Sequence, residues 1–148
     1  MNIREWICSW LCNSNRNIPS PDIVGTIEYT ELYTRLKAEF DNCPVLLPDK
    51  HYQLATKESF EKFLEVDDTD KYLYTGDLGF DCDNYSEILT GRTSIPKWGT
   101  IPIGTVWLTK PAHAINVFVD ENKEVWLIEP QNDNMYKLSN EIPYIVWL

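Results

Sequence analysis

The stretch HAINVFVDENKEVWLIEPQ, residues 113 to 131, sets β-branched and aromatic residues on both sides of a short run of turn formers. That is the pattern of two antiparallel strands around a tight loop. With Asp120, Glu121 and Asn122 as a three-residue loop, and Asn122 in the left-handed conformation it tolerates, Val119 pairs with Lys123. Counting outward, Val117 meets Val125, Ile115 meets Leu127 and His113 meets Glu129. Directly opposed side chains lie about 4.5–5.5 Å apart at Cβ, close enough for an imidazole to hydrogen-bond a carboxylate. A two-residue loop at Glu121 and Asn122 is the competing reading, and a one-residue slip sends Glu129 to the other face.

Around this hairpin, TIPIGTVWLT (100–109) and PYIVWL (143–148) read as further short strands. The first half of the chain has helical periodicity instead. Ile3, Trp6, Ile7, Trp10 and Leu11 predict an amphipathic helix over 2–12, Leu32, Tyr33, Leu36 and Phe40 a second over about 30–40, and Phe60, Phe63 and Leu64 a third over 57–65. NIPSPDIVG (17–25) reads as loop from its proline and glycine content, and CPVLLPDK (43–50) ends the second helix. DNYSEIL (83–89) begins a fourth helix, with Asp81 or Cys82 at or near its N-cap. Helices followed by strands predict an α+β fold with an antiparallel sheet.

The 148 residues fit one domain, able to bury roughly 70% of the surface of the unfolded chain. A net charge of −10 disfavours a nucleic-acid partner. No apolar run approaches the ~20 residues of a membrane helix, and residues 1–17 lack the apolar core and cleavage site of a signal peptide. The expectation is a soluble, cytoplasmic protein with its four cysteines reduced. Cys8 and Cys12 have no histidine nearby in sequence and read as structural, as does Asn116; His51 reads as a surface or loop histidine and the tryptophans as core and edge packing.

Cys82 at a helix start, His113 on a later strand and Glu129 on the next have the makings of a cysteine-hydrolase triad: nucleophile, general base and the group that fixes the imidazole tautomer. A buried cysteine and a satisfied core histidine would show the same spacing. Asp81 and Asp83 oppose a thiolate, whereas a helix N-terminus favours it.

At these residues, FDCDNYSEIL (80–89), HAINVF (113–118) and VWLIEPQND (125–133) resemble the calcium-dependent cysteine protease domain found at the C-terminus of the Marasmius oreades agglutinin and in bacterial and phage relatives. The resemblance covers about residues 45–148 and implies a papain-like fold with Cys82, His113 and Glu129 as the triad. Residues 1–44 form a helical part outside it, and the chain has no room for a β-trefoil lectin. The resemblance also implies calcium, for which Asp67, Asp68, Asp70, Asp77, Asp81 and Asp83 are the candidate ligands, although no EF-hand spacing is present. A bound cation would reverse the field that the two aspartates impose on Cys82. Gln131 is a candidate oxyanion donor.

The expected activity is a peptidase acting through a thioester on a peptide or protein substrate. The alternatives are an amidase of peptidoglycan peptides and an idle, acidic interaction protein on the same scaffold. The aromatic-rich strands permit a dimer.

Overall fold

The computed structural model describes residues 18–41, 43–76 and 79–148. The predicted helix over 2–12 and Asp77 lie outside the described residues. The elements are β1 (Ile23–Glu28), α1 (Tyr29–Glu39), β2 (Val45–Leu46), β3 (His51–Ala55), α2 (Lys57–Val66), a 3-10 turn (Thr69–Lys71), α3 (Cys82–Thr93), β4 (Ile103–Lys110), β5 (Ala112–Val119), β6 (Val125–Glu129), β7 (Asn134–Tyr136) and β8 (Ile142–Trp147). Six strands form one sheet in the order β2-β8-β4-β5-β6-β7, antiparallel except for the β2–β8 pair, while β1 and β3 form a separate antiparallel ribbon.

The class is α+β, but the order is not helices first and strands afterwards. β1 lies partly in the segment expected to be loop, and the ribbon's register shifts between Ile23 and Gly25. Glycine in a strand marks such a bulge, and its breaker character hid the alternation around it. α1, α2 and α3 sit where helical periodicity put them. The side chain of Thr56 caps α2 by accepting from the Ser59 N–H at 3.2 Å. No described helix is long and apolar enough to cross a membrane.

Strand alternation builds two cores, one on each face of the sheet. Val106, Leu108, Ile115, Val117, Val125 and Leu127 bury one face against Ile27 and Leu54 of the ribbon and Leu32 and Leu36 of α1. Ile103, Phe118 and Ile128 bury the other against Phe60, Phe63 and Leu64 of α2, Leu89 of α3 and Trp98.

The central hairpin forms, with a different register from the one counted. Val119 pairs with Val125, Val117 with Leu127 and Asn116 with Ile128. The loop runs from Asp120 to Glu124 and is organised by the buried Asp120. Its Oδ1 accepts from the N–H groups of Asn122 (2.8 Å) and Glu124 (2.9 Å), and its Oδ2 accepts from Trp126 Nε1 (2.8 Å). Lys123, with φ of 62°, takes the left-handed conformation expected of Asn122. The wider loop moves the partner strand by two residues. Because the side-chain period is two, Glu129 keeps its face and becomes a diagonal neighbour of His113 rather than an opposite one.

Candidate active site

α3 begins at Cys82 because Asp81 stops the extended chain there. Asp81 has extended backbone (φ −133°, ψ −163°), and its side chain accepts from the N–H of Asn84 while Asn84 Oδ1 accepts from the Asp81 N–H at 3.0 Å. The Asp81 carboxylate thus engages the Asn84 N–H, one of the helix's free donors. Cys82 is the first helical residue, half-buried and free of any disulfide. The segment before it is anchored by aromatic contacts. Phe80 packs on Tyr72 and Tyr85 with centroids 5.2 and 4.8 Å away, and the Tyr85 hydroxyl donates to the Tyr72 carbonyl. A Cβ on Gly79 would come within 2.2 Å of Thr75 Oγ1, the acceptor of the Phe80 N–H, so a side chain there would displace that hydroxyl.

His113 and Glu129 meet. His113 Nε2 lies 2.6 Å from Glu129 Oε2, with the side chains 23% and 19% exposed. The hydrogen bond to Glu129 raises the imidazole's pKa above its ordinary value; burial opposes this and the carboxylate's charge adds to it. Glu129 Oε1 accepts from the backbone N–H of Gln131 at 3.3 Å. Gln131, a candidate oxyanion donor, therefore braces the carboxylate through its main chain. No other hydrogen bond to the imidazole is found among the described residues, which leaves Nδ1 free to take a proton.

Cys82 and His113 share one end of the sheet but not one face. The chain leaving α3 enters β4 at Ile103, opposite Phe118 near the end of β5, so the start of α3 lies toward the start of β5. Ser86 Oγ donates to the Ile115 carbonyl (2.9 Å), and Asn116 Nδ2 donates to the Ser86 carbonyl (2.9 Å) and reaches Thr90 Oγ1 (2.9 Å). Alternation then puts His113 on the opposite face from Asn116 and α3. Among the described residues no hydrogen bond joins the Cys82 thiol to His113. Asn116 is structural, as expected, fastening α3 to the sheet. The buried Cys43 is a core thiol whose pKa burial raises, against the influence of Lys37.

Most of the described candidate calcium ligands are engaged with other groups. The side chain of Asp67, 3% exposed, accepts from the Thr69 N–H (2.8 Å) and pairs with Arg92 (3.1 Å), which also holds Asp68 (2.5 Å). Asp70 pairs with Lys71 at 3.3 Å, Asp81 caps α3, and Asp83 lies exposed in its first turn. Among the described residues no three acids, histidines or cysteines converge to hold a metal ion. Of the candidates, Asp67 and Asp68 are thus already neutralised by a guanidinium.

Sequence reading missed Arg92. The available signal was that it is the only basic residue between Lys71 and Lys97, in a stretch rich in aspartate. It also missed Asp133, whose carboxyl is pushed up to about 7 by burial first and then by the charges of Asp70 and Asp67.

No protein-family model matches this chain, and neither does any curated protein. Among solved structures it matches a PSL1a-E64 complex with a TM-score of 0.72 and 19% identity, over 83% of this chain and 50% of that one. The fold of this chain is similar to that of PSL1a. A structure of Polyporus squamosus lectin bound to the human-type influenza-binding epitope Neu5Aca2-6Galb1-4GlcNAc matches with a TM-score of 0.62 and 20% identity, over 78% of this chain and 48% of that one. The chain thus spans about half the length of PSL1a and of the lectin.

Proposed function

We propose that this chain is a papain-like cysteine hydrolase acting on peptide bonds, with Cys82 as nucleophile, His113 as general base and Glu129 as the group that orients the imidazole. The observation that carries the reading is the His113–Glu129 bond of 2.6 Å at the end of the sheet where α3 presents Cys82. The likeness to PSL1a supports it, since the ligand in that complex, E64, is a cysteine-protease inhibitor.

With Nε2–H donated to Glu129, the free Nδ1 takes the thiol proton and the Cys82 sulfur attacks the substrate carbonyl. The tetrahedral intermediate collapses as the imidazolium returns the proton to the leaving amine, giving a thioester. Water, deprotonated by the same nitrogen, then releases the acid and restores the thiol. Catalytic contacts that are open in a resting enzyme commonly tighten around substrate.

The test is E64 and iodoacetamide labelling mapped to Cys82 by mass spectrometry, alongside hydrolysis of a casein substrate. Saturable E64 labelling at Cys82, slowed at least about 100-fold in His113→Ala, with hydrolysis abolished in Cys82→Ala, is the expected result. Labelling no faster than that of a free thiol, or hydrolysis that survives Cys82→Ala, overturns the proposal. Calcium activation is carried as a separate arm: faster labelling in calcium than in chelator supports it, and equal rates remove it.

A further inference from the structure

On the face of the sheet away from His113 and Glu129, α3 presents Glu87, Thr90, Gly91 and Ser94 along a single stripe, at spacings of three, four and seven residues. This stripe faces Thr105 and Trp107 of β4 and Trp147 of β8, and the space between is a cavity of about 580 Å³. Ligand pockets span roughly 300–1,000 Å³. Neither Cys82 nor His113 nor Glu129 lines it.

The cavity's construction follows from the strand register and from one missing side chain. Thr105 pairs directly with Trp147 and Trp107 with Ile145, so the two indoles are diagonal neighbours on one face, about 7–8 Å apart at Cα. Trp98, 1% exposed, closes the interior end. It is fixed by Phe60 and Phe63, with centroids at 6.0 and 4.8 Å, and by its own N–H on the Pro19 carbonyl at 2.8 Å. A Cβ on Gly91 would have nothing within 4 Å, so the helix keeps the space open by having no side chain there.

The charge of the lining is one-sided. Glu87 and Asp49 both line the cavity and no basic residue does. Among the described residues neither carboxylate has an ion-pair partner, and the whole chain carries −10. An anion would meet two uncompensated carboxylates. A cation with an apolar skeleton would meet those carboxylates together with the indoles of Trp107 and Trp147, the surroundings that attract alkylammonium groups. The hydroxyls of Thr90 and Thr105, 3.1 Å apart, add a polar spot on the wall.

We infer that this cavity is a binding site for an apolar organic cation, an ammonium or guanidinium group on an alkyl or aromatic skeleton, whether a free amine or a basic side chain of a peptide. The site stands independently of the hydrolase reading, because its test needs no catalytic activity.

The test is calorimetric titration of the full chain with tryptamine and with tryptophol, which replaces the ammonium by a hydroxyl, together with Nα-acetyl-lysinamide as a peptide-like cation. Tryptamine is expected to bind about fivefold or more tightly than tryptophol. Gly91→Leu, which fills the cavity where the structure is open and removes a helix-interior glycine, should abolish binding at an unchanged or raised melting temperature. Glu87→Gln should weaken tryptamine about two- to fivefold and leave tryptophol unmoved. Binding of Nα-acetyl-lysinamide that Gly91→Leu abolishes assigns the site to peptide side chains, and tryptamine binding without it assigns the site to free amines. Equal affinity for tryptamine and tryptophol, tryptamine affinity unchanged in Glu87→Gln, or tryptamine binding that persists in a folded Gly91→Leu, overturns the inference.

Discussion

Arg92 ties α3 to the segment after α2, and its replacement by glutamine keeps much of the stem while removing the charge. The guanidinium reaches Asp67 at 3.1 Å, Asp68 at 2.5 Å and the Tyr72 hydroxyl at 3.2 Å. Asp67 is the partner that decides the magnitude, because its side chain is 3% exposed and water cannot replace the lost cation. Breaking a fully buried ion pair from one side costs about 3–5 kcal/mol. Here the Arg92 and Asp68 side chains are 27% and 28% exposed, and the Thr69 N–H still holds Asp67 Oδ2. Partial solvation brings the expected loss to about 2–3 kcal/mol. For a chain of 148 residues that lowers the melting temperature by about 5–10 °C. Urea unfolding of Arg92→Gln, Asp67→Asn and the double variant measures it, because the double variant removes both charges and leaves neither stranded. Its loss should fall short of the sum of the singles by about 1–2 kcal/mol. A single-variant loss under about 0.5 kcal/mol, in the range of an exposed pair, or strictly additive losses, would refute the reasoning.

Glu129→Gln should lower the pKa of His113, followed by NMR of its ring protons, since the Glu129 hydrogen bond is the main cause of the raised value. The stability that this bond confers is fully present below about pH 6.5, the ordinary value, and fades as pH rises through the folded-state pKa, so the variant's deficit should shrink on going alkaline. Cys82→Ala, by contrast, should leave the His113 titration where it is; a downward shift would reveal a thiolate–imidazolium pair in the resting protein. Gly104→Ala places a Cβ 2.0 Å from the Trp147 carbonyl oxygen and 2.6 Å from Leu148 Cα, both backbone atoms. Urea unfolding should show a loss of about 2–3 kcal/mol, whereas Gly91→Ala, which meets open space, should show none. Asp133→Asn removes a carboxyl whose pKa is held at about 7 in the fold against an ordinary 3.8. Below about pH 4 the group is neutral folded or unfolded, and between there and pH 7 the unfolded chain ionises first and stability falls. After discounting for solvent screening, the variant should gain about 1 kcal/mol at pH 8 and nothing at pH 3.5; equal stability at both would count against it.

The parts of this fold that were legible in the sequence are those set by neighbours along the chain. The start of α3 could be placed because an N-cap is a local rule, and Asp81 obeys it. The faces of β5 and β6 could be read because alternation survives an error of two residues: the loop was counted too short, yet His113 and Glu129 still meet. What failed depended on distant partners. β7, three residues long, has no alternation to read and exists by pairing with β6. The ion pairs of Asp67 and Asp68 with Arg92 depend on the last turn of α3 reaching back to them. The cavity beside α3 is equally non-local, since Trp107 and Trp147 become neighbours only through the β4–β8 register.

The same distinction explains why the candidate catalytic site is only half assembled. The thiol is positioned by contacts that belong to α3: the Asp81–Asn84 capping box, Tyr85 against Phe80, and Ser86 on the Ile115 carbonyl. The imidazole is positioned by others. β5 pairs with β4 along its whole length, Leu108 lying opposite His113, but its pairing with β6 stops at Asn116 and Ile128. On the β6 side, His113 is therefore held by the side chain of Glu129 rather than by the backbone ladder. Glu129 then has two physical tasks, raising the proton affinity of the imidazole and anchoring the stretch of β5 that carries it. A carboxylate there suits both, because a charge-assisted hydrogen bond is stronger than the neutral one an amide would make. The electrostatics of the imidazole and its placement thus rest on one side chain, and Glu129 is where the geometry of this candidate site is most exposed to substitution.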